Sequence, residues 1–277
     1  MIYLIPLSGL CNRLRAIASA IALARDSGAM LKIYWVKNHD LNCRFDDLFS
    51  PMSIDNVELI ECNRKPILFR AYRSDNKWKG AICTIIEGIQ KRFIDQILYK
   101  KDPVNLFLHE NGSLENPNRI IIETQHRFYR CENFNLYFKP ILQIQDRIDK
   151  QVASFAPHTI GVHLRRTDLP QQHLSPTSSF IKMMEEEVKK DNAVSFFVAS
   201  DSETDKQELQ EKFGGRVITT IVETSRSTLE GMQDAVFDLF VLARTNMILG
   251  TYYSSFSETA AIDIGQLPYV SVGAEIK

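Results

Sequence analysis

Two adjacent arginines, Arg165 and Arg166, directly follow a short apolar stretch with the alternation of a β-strand. The sequence around them reads IGVHLRRTDLP. A guanidinium group stays charged at any working pH and can donate two parallel hydrogen bonds to phosphate oxygens, which suits a phosphate or diphosphate ligand. Because successive side chains of an extended chain point to opposite sides, we expect the two arginines to have different roles. One could hold the ligand while the other pairs with Asp168; a structural Arg–Asp pair without a ligand is the alternative.

Three more polar clusters follow predicted strands. LSGLCN comes after the first strand of the chain, and ASDSE and GTYYSS come after two strands of the second half. Ligands of parallel sheets bind outside the carboxyl ends of the strands, so this recurring placement indicates a ligand site. Asp201 could accept a hydrogen bond from a sugar or base, or cap its own helix. The serines at 254, 255 and 257 could donate to phosphate or cap the last helix.

The hydrophobic pattern predicts alternating strands and helices along the chain. An apolar run at 2–6, a helix that stops at Gly28 and a strand at 31–36 form a β–loop–α–β unit, which favours a parallel sheet. The residues that open this helix could bind an anion through free backbone N–H groups. We therefore predict an α/β chain with two Rossmann-like domains, at residues 1–145 and 146–277.

The second half repeats the strand–helix alternation regularly. Ser175, followed by Pro176, is the expected cap of one helix, and Ser227 opens a capping box with Glu230 in another. The predicted strands are 159–164, 193–199, 216–222 and 246–249.

Composition narrows the class of protein. The chain has 277 residues, of which 44% are hydrophobic and 24% charged, and its net charge of -1 gives no general attraction to nucleic acid. Its five cysteines show no CxxC spacing, so we predict no metal site and read them as reduced thiols of a cytoplasmic protein. Cys11 lacks a nearby histidine in sequence, which favours a buried thiol over a nucleophile.

A basic segment with interleaved aromatic residues lies between Arg64 and Lys79, and isoleucines at helical spacing follow it. Such a run is most often a solvated face. A peripheral contact of residues 64–98 with the inner face of an anionic membrane, or with a phosphorylated acceptor, is the functional alternative.

Three stretches, in order, resemble peptide motifs shared by α-1,6-fucosyltransferases, the bacterial nodulation fucosyltransferase and protein O-fucosyltransferases. They read GVHLRRTD, FFVASDSE and DLFVLARTNMILGTYYSSFSE, between about Thr159 and Ile264. The N-terminal GLCNR resembles the family's G-x-x-N loop. The resemblance implies a GT-B-like glycosyltransferase with a small, partly irregular N-terminal domain. It also implies GDP-fucose as the donor substrate, with no metal and no further cofactor.

Roles for individual residues follow from the resemblance. Arg165 resembles the arginine that holds the β-phosphate and stabilises departing GDP. His163 and Asp238 resemble the family's guanine-contacting pair, and an aspartate matches the N1–H and amine edge of guanine. The remaining donor-binding residues are Arg166, Ser254 and Ser255 at the diphosphate, and Asn12 at fucose or phosphate.

The general base is where the chain departs from the family pattern. Core α-1,6 enzymes have a glutamate five residues after the motif's aspartate, and His173 occupies that position here. Histidine can serve as a base near pH 7; a simple loop residue is the alternative. Leu169 replaces the family's lysine, so we expect acceptor recognition to differ.

The leading hypothesis is a fucosyltransferase acting on a glycan or a lipid-linked glycan, with no nucleic-acid partner. A transferase for another GDP-sugar is one alternative. A catalytically silent nucleotide- or glycan-binding protein of the same fold is the other.

Overall fold

The computed structural model divides the chain into two compact units. One comprises Met1–Asp46 and Ser50–Phe138, and the other comprises Asp47–Phe49 and Lys139–Lys277. The structure describes residues 1–66, 88, 96–98, 119–131, 134–167, 172–220 and 225–273.

Some predicted features lie outside the described residues. They are Asp168 with its predicted ion pair, Leu169, and all of the segment 64–98 except residues 64–66, 88 and 96–98.

The first unit is built on a five-stranded sheet with the strand order β3-β2-β1-β5-β4, and all its strand pairs are parallel. This confirms the parallel sheet predicted from the first strand, helix and strand. The elements are β1 (Ile2–Pro6), α1 (Leu10–Ser27), β2 (Leu31–Val36), β3 (Val57–Cys62), β4 (Gln96–Leu98), β5 (Ile120–Thr124) and α2 (Phe134–Tyr137).

Helix α1 follows the predicted pattern. Its apolar residues, Leu14 and Ile17 among them, are fully buried. The helix ends at Gly28, whose φ of 65° lies in the left-handed region and whose N–H reaches the carbonyl oxygens of Ala24 and Arg25. The predicted stop is therefore confirmed, and its cause is the conformation that glycine adopts without steric cost.

A buried arginine ties the loop after β1 to the end of β2. Arg13 is fully buried, and its guanidinium donates to the carbonyl oxygens of Ser8 and Val36 at 2.8 and 2.7 Å. It also donates to Asn38 Oδ1 at 2.8 Å and lies over the Trp35 ring at 5.2 Å. Burial lowers the pKa of Arg13 to about 10, so the group is still charged at neutral pH. The contacts hold Ser8 at a φ of 69°, a conformation few side chains adopt.

The second unit contains another five-stranded parallel sheet, with the order β10-β9-β6-β7-β8. The strand order reverses between β6 and β9. The helices are α3 (Leu142–Val152), α4 (Thr177–Lys190), α5 (Glu203–Phe213), α6 (Leu229–Leu242), α7 (Ser255–Glu258) and a π-helix (Thr259–Gly265). The strands are β6 (Thr159–Leu164), β7 (Ser195–Ser200), β8 (Val217–Thr219), β9 (Met247–Thr251) and β10 (Tyr269–Val272).

The core of this unit fixes the position of β6. Ile160, Val162 and Leu164 share a buried cluster with Phe180 and Met184 of α4. Burying each such side chain is worth roughly 1.5–3 kcal/mol, and a shift of the strand by one residue would turn the apolar row toward the opposite face, where Gly161 leaves no room beside Leu242 and Thr245. The polar residues that follow β6 are therefore held at a defined edge of the sheet.

Two predicted caps are wrong in detail. Ser175 does not cap α4, because its hydroxyl donates to the Val272 carbonyl oxygen at 2.6 Å and Pro176 occupies the N-cap position. Helix α6 is capped by Thr228 rather than Ser227, with Thr228 Oγ1 accepting from the Gly231 N–H at 3.1 Å. The helices themselves lie where the pattern predicts them.

Replacing Arg13 by methionine is expected to lower the free energy of unfolding by about 2–4 kcal/mol, because buried acceptors lose their donor. Urea denaturation measures the loss. The matched control is Arg25→Met on the same helix, where Arg25 pairs with its exposed neighbour Asp26; we expect no measurable change there. Equal losses in the two variants would contradict a structural role for Arg13.

Candidate functional site

The carboxyl ends of β6 and β9 meet at the point where the strand order of the second sheet reverses. His163 of β6 pairs with Gly250 of β9 in the parallel register. Thr251 joins the two strand ends: its Oγ1 accepts from the Arg165 N–H and donates to the His163 carbonyl oxygen, both at 3.0 Å. In open α/β sheets this switch point is where ligands bind. The sequence pattern did not single out Thr251, although it belongs to the polar cluster GTYYSS.

His163 is a neutral, fixed imidazole at this edge. It is 7% exposed, its Nδ1 lies 2.8 Å from Ser257 Oγ, and its ring stacks on Phe256 with centroids 4.7 Å apart. Burial, helped by the positive charge of Arg165, lowers the pKa of His163 to about 3. The ring is therefore uncharged at any working pH and can offer one donor and one acceptor nitrogen.

Asp238, on α6, is a buried acid with an unused oxygen. The residue is 8% exposed, and its Oδ1 has no hydrogen-bond partner among the described residues. Burial raises the pKa of Asp238 to about 7, although the positive charge of Lys206 opposes the shift. Buried polar atoms are normally paired, so an unpaired one indicates a group that a ligand completes.

Arg166 is held within the protein. Its Nε donates to Asp205 Oδ2 at 2.6 Å, and its two terminal nitrogens donate to the Ser175 carbonyl oxygen at 2.7 Å and to Thr177 Oγ1 at 3.0 Å. These contacts give Arg166 an anchoring role within the protein. The carboxylate partner of Arg166 among the described residues is Asp205, which the sequence reasoning missed because 39 positions separate the two.

Asp201 holds the backbone of Arg166 and Thr167. This role differs from the two that the sequence suggested, a contact with a sugar or base and a helix cap. Its Oδ1 accepts from the Arg166 N–H at 2.7 Å, and its Oδ2 accepts from the N–H and hydroxyl of Thr167 at 3.0 and 2.6 Å. Burial alone would raise the pKa of Asp201, but these hydrogen bonds keep it below its usual value. Helix α5 is capped instead by Ser202, which accepts from the Asp205 N–H.

Ser254 and Ser255 lie where the chain turns from β9 into α7. Ser254 occupies the N-cap position, but its side chain makes no capping hydrogen bond. Its Oγ is buried and has no hydrogen-bond partner among the described residues. This leaves the hydroxyl of Ser254 available as a donor, and Ser255 follows as the first residue of α7.

Two more predicted site residues lie on other elements of the chain. His173 is an exposed residue of the short 3₁₀ turn Gln172–Leu174. Asn12 belongs to the first unit, near the start of α1, and its Nδ2 donates to Ser8 Oγ at 3.2 Å. Cys11 beside it is buried, as expected for a structural thiol.

The described residues contain no group of three or more histidine, cysteine, aspartate or glutamate side chains placed to hold a metal ion. Over the same part of the chain, no helix combines the length and the apolar character that crossing a membrane requires.

Comparison with known proteins finds likeness in structure only. No protein-family model matches the chain, and no curated protein matches its sequence. A NodZ α-1,6-fucosyltransferase soaked with GDP-fucose aligns over 94% of this chain and 91% of its own, with 21% identity and a TM-score of 0.63. Arabidopsis thaliana FUT1 in complex with GDP aligns over 97% and 69%, with 15% identity and a TM-score of 0.62. POFUT1 in complex with GDP-fucose aligns over 100% and 98%, with 14% identity and a TM-score of 0.53.

These likenesses establish the class of fold. The chain has the GT-B-like α/β fold of these glycosyltransferases, with parallel sheets, and the predicted fold class is confirmed. The predicted resemblance to fucosyltransferases is likewise confirmed at the level of the fold.

Replacing Asp238 by asparagine is expected to stabilise the ligand-free chain at pH 8 but not below pH 4. The unfolded carboxyl group loses its proton near its usual pKa, whereas the folded one keeps it up to about 7. The wild-type free energy of unfolding therefore falls as pH rises from about 4 to about 7, by up to about 4 kcal/mol. Urea denaturation of both proteins from pH 4 to 8 measures the difference. A difference that does not change with pH would contradict the raised pKa.

Proposed function

We propose that the chain is a glycosyltransferase that moves fucose from GDP-fucose to a hydroxyl group of a glycan acceptor, with inversion and without a metal ion. The observation that carries this proposal is the cluster at the switch point of the second sheet. At that edge the structure has the neutral His163 and two adjacent arginines, and on helix α6 it has Asp238, a buried acid whose Oδ1 is unpaired among the described residues. The cluster occurs in a fold shared with fucosyltransferases solved with GDP or GDP-fucose.

Guanine is the base that Asp238 suits best. The N1–H and the exocyclic amine of guanine are adjacent donors, and a carboxylate accepts from both at once. Adenine has no N1–H, and uracil offers one N–H between two carbonyl oxygens, so neither completes the carboxylate in this way. Binding of two donors also favours the charged form and offsets the cost of burying it. His163 contributes a second polar contact with no charge of its own.

The diphosphate is bound by the loops after β6 and β9. Arg165 supplies the positive charge, and the hydroxyl groups of Ser254 and Ser255 donate hydrogen bonds. Arg166 adds its charge to the field at the diphosphate while its guanidinium is anchored by Asp205. An anchored side chain needs little reorganisation when charge develops on the leaving group.

The reaction is a single displacement. An acceptor oxygen attacks the anomeric carbon of fucose as the bond from that carbon to the β-phosphate oxygen breaks, and GDP leaves with the electron pair. The acceptor's proton passes to a base, for which we propose His173, and Asn12 contacts fucose or phosphate. Arg165, aimed at the departing diphosphate, contributes about 3–4 kcal/mol by analogy with an oxyanion-hole donor.

Calorimetry with GDP, GDP-fucose, UDP and ADP tests the choice of nucleotide. We expect both guanine nucleotides to bind at least 50-fold more tightly than UDP or ADP, and EDTA to leave turnover of GDP-fucose unchanged. Comparable binding of UDP would contradict the reading of guanine by Asp238. Tight binding of GDP without turnover on any glycan would favour the silent binding protein, and preferred turnover of another GDP-sugar would favour the related transferase.

Replacing Arg165 by alanine is expected to reduce release of GDP from GDP-fucose by about 10²–10³-fold, because the leaving diphosphate loses its positive partner. The melting temperature, measured alongside, checks that the variant is folded. Arg166→Ala is the matched comparison: it leaves the buried Asp205 without its ion pair, so we expect a clear fall in melting temperature. Unfolding of Arg165→Ala would make that arginine structural.

A further inference from the structure

Ser257 is a fully buried serine whose hydroxyl contacts the proposed base-reading histidine. Its Oγ lies 2.8 Å from His163 Nδ1, and 94 positions of sequence separate the two residues. Capping of the last helix and donation to phosphate were the roles considered from sequence. The hydrogen bond to His163 points to a third role, toward the imidazole itself.

The surroundings hold the ring and the hydroxyl in one arrangement. Phe256 stacks on the His163 ring with an interplanar angle of 22°. Gly250, the residue paired with His163 across the sheet, leaves the space that Ser257 fills: a Cβ there would lie 2.3 Å from Ser257 Cβ and 2.6 Å from its Oγ. Real Cβ atoms do not approach so closely, so an alanine at this position would displace Ser257. The glycine is therefore part of the same arrangement.

The hydrogen bond with Ser257 matters because the imidazole of His163 is neutral. One ring nitrogen carries a proton and donates, and the other accepts, so the partner of Nδ1 decides what Nε2 offers. Among the described residues no hydrogen bond to Nε2 is found, and Nδ1 is bound by Ser257. A fixed partner at Nδ1 thus leaves one nitrogen with a defined role for a ligand.

We propose that Ser257 is a positioning residue of the nucleotide site: its hydroxyl, in the space left by Gly250, fixes the orientation and tautomer of His163 so that Nε2 is presented to the nucleoside of the donor. This inference rests on the proposed function, in which His163 contacts guanosine. Ser257 itself touches the histidine and not the ligand.

Ser257→Ala removes the hydroxyl with the loss of one buried atom. We expect the affinity for GDP to fall about 5–20-fold and the KM for GDP-fucose to rise in parallel, with kcat unchanged, since the donor is held less well but the displacement is not altered. Affinity for UDP should stay the same, so the preference for GDP narrows. Ser257→Cys, which keeps a weak donor, should recover part of the loss.

Ser195→Ala is the matched control. Ser195 also makes a 2.8 Å hydrogen bond, to Thr159 Oγ1, but at the amino ends of β6 and β7. A similar change of melting temperature is expected in both alanine variants, whereas the GDP-to-UDP preference should change only in Ser257→Ala. A purely structural serine would leave that preference untouched.

A second readout needs no nucleotide. The ¹⁵N shifts of the imidazole ring distinguish the two tautomers, and His163→Gln identifies the signal among the six histidines. We expect one tautomer in the wild type and a mixture in Ser257→Ala. An unchanged tautomer together with unchanged GDP affinity would overturn the proposal. If the wild type binds no GDP, the proposed function fails, and the tautomer comparison still decides whether Ser257 positions His163.

Discussion

The hydroxyl group of Thr251 joins the ends of β6 and β9, and the candidate site depends on that link. It accepts from the Arg165 N–H and donates to the His163 carbonyl oxygen, so one side chain replaces the ladder hydrogen bonds that end there. Parallel strands run in the same direction, so their carboxyl ends lie at one edge of the sheet. The link brings the two arginines after β6 and Ser254 after β9 to that edge. The buried apolar residues of β6 keep the strand in its register.

Two aspartates hold Arg166 and the backbone beside it. Arg166 pairs with Asp205 and is anchored to both following helices, while Asp201 uses both of its oxygens to hold the backbone of Arg166 and Thr167. A half-buried positive charge needs a partner, and the carboxylate of Asp205 on α5 supplies it. The Arg166 side chain and the Thr167 backbone are therefore held in place before any ligand arrives, which reduces the reorganisation that binding requires.

Burial displaces the pKa of two predicted site residues in opposite directions for the same reason. It lowers the pKa of His163 and raises that of Asp238, because a low-dielectric interior penalises the charged form of each. His163 is thus uncharged at neutral pH, and Asp238 keeps its proton up to about pH 7. Displaced pKa values are frequent at functional sites. A ligand that supplies hydrogen bonds to such groups offsets the free energy that their burial costs.

Sequence alone determined the α/β alternation, the parallel sheets and the stop of α1 at Gly28, because apolar periodicity and glycine conformation are local properties. It also located the polar clusters at strand ends. Only the tertiary structure decided the partners within those clusters: Asp205 for Arg166, Ser257 for His163, and Val272 rather than a helix end for Ser175. These partners lie 39, 94 and 97 positions apart in the chain. Hydrogen bonds across such distances depend on how the sheet is assembled, which no local pattern encodes.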